Sequence, residues 1–162
     1  MWVVIVILLL IISLIFQTFP QDLIALGGIR PDLIFIVVIC LSLVRGAKEG
    51  VFIGLGGGIL KDLTSGLSGS ACTLSLTISG LLAGLLKDFF FKENILVPLF
   101  VVLFGTVIKE IIFFLTVCSL GLTLDAGRLK LILLPEIALN CLLTLPIYWG
   151  IRKMERRWEV KG

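Results

Sequence analysis

The chain contains no histidine and only one tyrosine, and none of its four cysteines stands in a CxxC pair. Without imidazole, the side chain that most often serves as general base and metal ligand near neutral pH is missing. Cys40, Cys72, Cys118 and Cys141 each lie inside an apolar run. That pattern suits neither a zinc site nor a disulfide framework, and it reads as small hydrophobes packed in a core. No metal or other cofactor is expected. Charge is scarce as well, at 15% of residues, and no basic tract suggests a nucleic-acid partner. The one glycine cluster lacks the GK[ST] ending of a phosphate loop, since Lys61 is followed by Asp62. No Ser or Cys has a recognisable base beside it, so no catalytic residue is expected and an enzyme is not the reading.

What the chain has instead is hydrocarbon. Of its 162 residues 59% are hydrophobic, and the mean hydropathy is +1.19, beyond the range of soluble globular domains. Uncharged runs cover Met1 to Gln21, Leu63 to Leu86, Asn94 to Ile108, Ile111 to Leu124 and Ile137 to Ile151. About 20 apolar residues span a bilayer, so several transmembrane helices are expected. Nothing basic precedes the first run and no small-residue cleavage site follows it, so that helix is expected to persist in the mature chain.

The expected architecture is a single integral membrane domain over residues 1–162, an all-α bundle of six transmembrane helices at about 1–19, 31–44, 49–61, 71–87, 94–120 and 131–153. Pro31 and Asp32 suit the first turn of the second helix, because proline needs no partner for an N–H there and a carboxylate complements the helix dipole. Arg45, Lys48 and Glu49 are read as a turn, and Lys61 to Ser70 as a polar loop. Six helices put both termini on one side. With the termini inside, cytoplasmic segments hold nine bases (Arg45, Lys48, Lys87, Lys92, Arg152, Lys153, Arg156, Arg157, Lys161) against four outside (Arg30, Lys61, Arg128, Lys130). The excess of positive charge predicts cytoplasmic ends, and the aromatic rings of Tyr148, Trp149 and Trp158 suit the inner interface.

Two features stand out as candidate sites. Between Gly46 and Gly58 six of thirteen residues are glycine, with Gly50, Gly54 and Gly58 at every fourth position. Such a stripe lets another backbone approach closely in lipid, either one of the chain's own helices or, as a docking face, the transmembrane helix of a partner. The second feature is polar residues at membrane depth: Lys109 and Glu110 in the fifth helix, Glu136 and Asn140 in the sixth. Antiparallel packing would put Lys109 at the depth of Glu136, as a structural bridge. Asp32, Asp62 and Asp88 fall at helix ends, where capping or solvation accounts for them.

The succession Arg30-Pro31-Asp32-Leu33, an apolar helix, Arg45-Gly46, a glycine-rich helix ending in Asp62, then Ser65-Gly66 resembles the rod-shape-determining MreD family. The resemblance implies a multi-pass protein of the bacterial inner (cytoplasmic) membrane. It implies a scaffold of the cell-elongation machinery bound to a bitopic, MreC-like protein. Through that partner it would be linked to RodA with its penicillin-binding transpeptidase and to MreB filaments, and so to peptidoglycan synthesis. The motif positions that match are Arg30, Pro31, Asp32, Arg45, Gly46, Asp62 and Gly66. The competing resemblance is to the substrate-binding components of energy-coupling-factor vitamin transporters, to which the MreD fold looks related. Many of those carry an AxxxA surface in the first helix, whereas Met1 to Phe19 holds neither alanine nor glycine.

The charge asymmetry predicts a definite labelling pattern. In a cysteine-free background on intact cells, a membrane-impermeant thiol reagent is expected to modify Ser68→Cys and to spare Lys161→Cys. The opposite pattern would invert the topology.

Overall fold

A thirteen-residue helix, Leu33–Arg45 (α2), sits where every neighbour can cover it. All its residues from Ile34 to Leu43 are buried, including Phe35 and Ile39, and it touches each of the other five helices. In the computed structural model, which describes residues 2–18, 31–65, 71–88, 96–119, 121 and 126–159, those neighbours are Trp2–Thr18 (α1), Ala47–Ser65 (α3), Ala71–Leu85 (α4), Leu96–Ser119 (α5) and Ala126–Glu159 (α6). A 3-10 turn, Leu86–Asp88, follows α4. The described residues form six helices and no strand, so the protein is all-helical. Family-motif residues Arg30 and Gly66 lie outside the described residues.

The helix starts and stops follow local chemistry. Asp32 is the N-cap of α2, its carboxylate accepting from the Phe35 N–H at 3.2 Å. Pro31 therefore precedes the helix rather than opening its first turn, because the capping residue takes non-helical dihedrals. The expected turn over Arg45 to Glu49 shrinks to one residue. Gly46 adopts φ 100°, a left-handed conformation that other residues take at a cost, and α3 begins at once with Ala47. At its far end α3 runs on through Lys61 to Ser65, across the expected polar loop. The Asp62 carboxylate accounts for this extension, accepting from Cys72 N at 3.0 Å, Thr73 N at 2.9 Å and Thr73 Oγ1 at 2.6 Å. It thereby caps α4 from the preceding helix. α6 exceeds its expected bounds at both ends and contains Pro135 and Pro146.

The glycine stripe is filled from within the chain. Gly50 lies against the carbonyl of Gly80, Gly54 against that of Leu76, and Gly58 against the Thr73 backbone, all on α4. A Cβ on Gly54 would stand 2.5 Å from the Leu76 oxygen, closer than real Cβ atoms come. Gly84 does the reverse, with Ala47 Cα 2.5 Å from where its Cβ would be. This corrects the reading of Gly50, Gly54 and Gly58 as a partner's docking face: α4 already occupies it, and small residues on both helices permit the contact.

Outside this interior the surface is apolar. Val4, Ile7, Leu8 and Phe16 of α1, Phe52 of α3, Phe100, Phe104 and Leu115 of α5, and Leu134 and Leu142 of α6 are all exposed. Contiguous apolar surface on so many helices marks contact with something other than water. Leu96–Ser119 and Leu133–Glu155 are each long and apolar enough to cross a membrane, while Val3–Thr18, Leu33–Arg45 and Ala71–Leu85 are shorter apolar helices. The cysteines are all free, but only Cys40 and Cys72 are core residues; Cys141 is half-buried and Cys118 is exposed.

Backbone contact between α3 and α4 makes a quantitative expectation. Gly54→Leu should lower the melting temperature of the isolated protein in detergent, as overpacking typically costs about 1–3 kcal/mol or more. Gly150, which has nothing within 4 Å of a built Cβ, provides the control: Gly150→Ala should leave stability unchanged or slightly raised. An unaltered Gly54→Leu protein would contradict the close pairing.

Candidate functional site: a buried ionic cluster

Asp32 and Lys109 meet at one end of α2. Lys109, 4% exposed on α5, sends its Nζ to Glu136 Oε1 on α6 at 2.6 Å, to Asp32 Oδ2 at 2.9 Å and to its neighbour Glu110 Oε1 at 2.9 Å. It also stands 5.2 Å from the centroid of the Phe35 ring, where the negative face of the π system adds to its stabilisation. Lys61, arriving from α3, pairs with the same Asp32 oxygen. The other Asp32 oxygen lies 3.5 Å from Gln17 Nε2 of α1. Asn140 completes the arrangement on α6: its Oδ1 accepts the Asp32 N–H at 2.9 Å, and its Nδ2 donates to Thr106 Oγ1 on α5 at 3.3 Å.

Each member is reached by a definite route. Asn140 lies four residues, about one helical turn, beyond Glu136 and so shares its face of α6. Thr106 lies three residues before Lys109 on α5, again one face. The pairing of Lys109 with Glu136 across two consecutive helices is the geometry expected from their depth. Lys109 also reaches Glu110, although adjacent helical residues point about 100° apart; its flexible four-carbon stem allows the ammonium to sit between them.

Two members were placed elsewhere by sequence reasoning. From the sequence Asp32 reads as a family-motif residue at a helix end, explained by capping or solvation; it does cap α2, and its second oxygen also takes two ammonium groups. Lys61 was assigned to an outer loop. In the structure Gly57, one turn earlier, faces Ile34 and Val38 of α2, and Lys61 at i+4 points the same way.

The opposite end of α2 carries a smaller counterpart. Arg45, in the last turn, pairs through Nε with Glu155 of α6 at 3.0 Å and lies 3.9 Å from Glu49 of α3. A cation there complements the negative end of the helix dipole, as Asp32 complements the positive end. Gly46 follows as the hinge already described, and Asp62 serves α4.

Chemically the cluster is a clasp. Three carboxylates and two ammonium groups pair with one another across α2, α3, α5 and α6. Among the described residues no group of three or more His, Cys, Asp or Glu side chains is placed to hold a metal.

An all-helical chain with inward-turned charge and an apolar exterior belongs to the class of helical membrane proteins that the sequence composition suggested. Residues 1–156 match the family described as rod shape-determining protein MreD, and the chain belongs to that family. Membership gives it a part in determining rod shape, in a family of membrane proteins. No curated protein and no solved structure matches the chain, and the resemblance to vitamin-transporter components is without support.

The clasp predicts asymmetric mutational costs. Lys109→Met strands Glu136 in the interior and takes one of two ammonium partners from Asp32, and it should cost about 3–5 kcal/mol of stability. Adding Glu136→Leu should recover part of the loss, not all, because Asp32 has lost one of its two ammonium partners and keeps Lys61. Thermal unfolding in detergent decides the matter: a double variant no more stable than Lys109→Met alone would show that Glu136 does not depend on Lys109.

Proposed function

We propose that the chain is a non-enzymatic scaffold of the bacterial elongation machinery. It is one integral domain of six helices in the inner membrane, with both termini cytoplasmic, that binds an MreC-like bitopic protein. Through that partner it is coupled to RodA with its penicillin-binding transpeptidase and to MreB filaments, so that peptidoglycan synthesis follows the rod axis. Family membership over residues 1–156 supports the setting. The observation that carries the scaffold reading is the self-satisfied cluster around Lys109: the intramembrane charges that a carrier would offer to a substrate are engaged with one another. What remains on offer is the apolar exterior, and in lipid such surfaces associate by packing.

Short helices fit this setting. α2 is buried among the other helices from Ile34 to Leu43, so it needs neither the length nor the lipid-facing hydropathy of an independent span. Under the cytoplasmic-termini topology the Asp32 cluster lies toward the outer face and the Arg45–Glu155 pair toward the cytoplasm.

Co-purification tests the reading. The native chain, extracted in mild detergent, should bring down a single-span protein with a large extracytoplasmic domain. Recovery of a small bound vitamin without such a protein would overturn the scaffold assignment.

A further inference from the structure

The charges of the buried cluster do not balance. Asp32, Glu110 and Glu136 bring three carboxyl groups against the two ammonium groups of Lys61 and Lys109, and no other cation among the described residues pairs with these carboxylates. Fully ionised, the cluster holds one negative charge too many in an interior that solvates charge poorly. Its partners are unequally shared. Asp32 takes both ammonium groups on one oxygen and the Phe35 N–H on the other. Glu110 shares Lys109 and has the most exposed side chain of the three, at 15%. The Glu136 side chain is 8% exposed and is bonded through Oε1 to Lys109 alone among the described residues.

We propose that Glu136 is a proton-binding site, its carboxyl un-ionised at neutral pH with the proton on Oε2 while Oε1 accepts from the Lys109 ammonium. The four remaining charges, Asp32 and Glu110 against Lys61 and Lys109, then cancel. A proton fits where a metal ion does not, because the point on which the three carboxyl groups converge is occupied by Lys109 Nζ, within 2.9 Å of each. Around Glu136 stand Asp32 of α2, Lys61 of α3, and Lys109 and Glu110 of α5; α1 contributes the neutral Gln17, α4 has no charged residue, and Asn140 is the polar neighbour on α6 itself. Loss of the proton returns the excess charge beside Asp32 and Glu110, so the hold of α6 on α5 and α2 weakens as pH rises. The site belongs to the isolated chain and stands apart from the scaffold reading.

The sign of the pH effect follows from the two states. In the unfolded chain Glu136 is an ordinary carboxyl, ionised above about pH 5. Folding therefore takes up one proton, and the folding equilibrium constant should fall by up to about tenfold per pH unit until the folded chain releases that proton too. The chain has no histidine, so no imidazole titrates in the window from about pH 5.5 to 7.5.

Equilibrium unfolding of the full-length native chain in mixed detergent micelles should show this fall. Glu136→Gln, neutral and of the same shape, should give a flat profile, whereas Glu49→Gln, near Arg45 at the other end of α2, should keep the native slope. Infrared spectroscopy provides a reading that needs no variant to fold. In an ester-free detergent the native chain should show the C=O stretch of a carboxylic acid at neutral pH, shifted by carbon-13 in its glutamate carboxyls and lost in alkali. A flat native profile with no acid band means that all five groups are ionised, and the proposal ends there. A slope that persists in Glu136→Gln, or an acid band indifferent to glutamate labelling, puts the proton on another group and overturns the assignment. Stability that follows sodium concentration at fixed pH makes the ligand a metal cation and overturns it equally.

Discussion

The rest of the structure depends on the Asp32 carboxylate. Burying the start of a helix leaves N–H groups without partners and a positive dipole end without water, and α2 begins in the interior. Asp32 answers both demands, capping α2 through Phe35 and accepting the ammonium groups of Lys61 and Lys109, while its own N–H goes to Asn140. Four of the five surrounding helices are thereby tied to one residue, α1 by Gln17, α3 by Lys61, α5 by Lys109 and α6 by Asn140. The fifth, α4, is held through α3, by the glycine contact and the Asp62 cap.

The contribution of such a cluster to net stability is small, because desolvating five charges offsets much of their attraction. Its contribution to arrangement is larger. Apolar helices slide past one another at little cost, since one methyl contact replaces another. A buried ammonium with three carboxylate partners tolerates no such shift, because each ångström of sliding leaves a charge unpaired in a medium that cannot solvate it. The glycine pairing supplies the complementary constraint on distance between α3 and α4, and the Arg45–Glu155 pair closes the other end of α2.

Much of this was legible along the chain, and the missing part has one physical origin. The extent of α5 and the shared depth of Lys109 and Glu136 follow from hydropathy and the rise per residue. Depth is one-dimensional and the sequence orders it. Azimuth is not so ordered. Whether the Gly50, Gly54 and Gly58 face meets α4 or a foreign helix, and whether Lys61 turns outward to solvent or inward to Asp32, depends on how six cylinders are arranged around one another. Local chemistry accounts for the smaller differences: a glycine at φ 100° shortens a turn to one residue, and a cap supplied by Asp62 lengthens α3 beyond its polar boundary. The two prolines inside α6 did not stop that helix, for neighbouring helices can re-satisfy a freed carbonyl.

The shortness of α2 bears on how the proposed bundle meets membranes of different thickness. At thirteen residues it is about 20 Å long, against roughly 30 Å of hydrocarbon. A lipid-facing helix with that shortfall would thin the bilayer around it, at a fraction of a kcal/mol per ångström. Because α2 is buried from Ile34 to Leu43, the shortfall is absorbed inside the proposed bundle. Mismatch is then felt only by the peripheral helices, among them α5 with 24 residues and α6 with 34. In the proposed bundle both helices also carry the cluster, through Lys109, Glu136 and Asn140, so a change of tilt pivots about that level and the adjustment falls to their far ends.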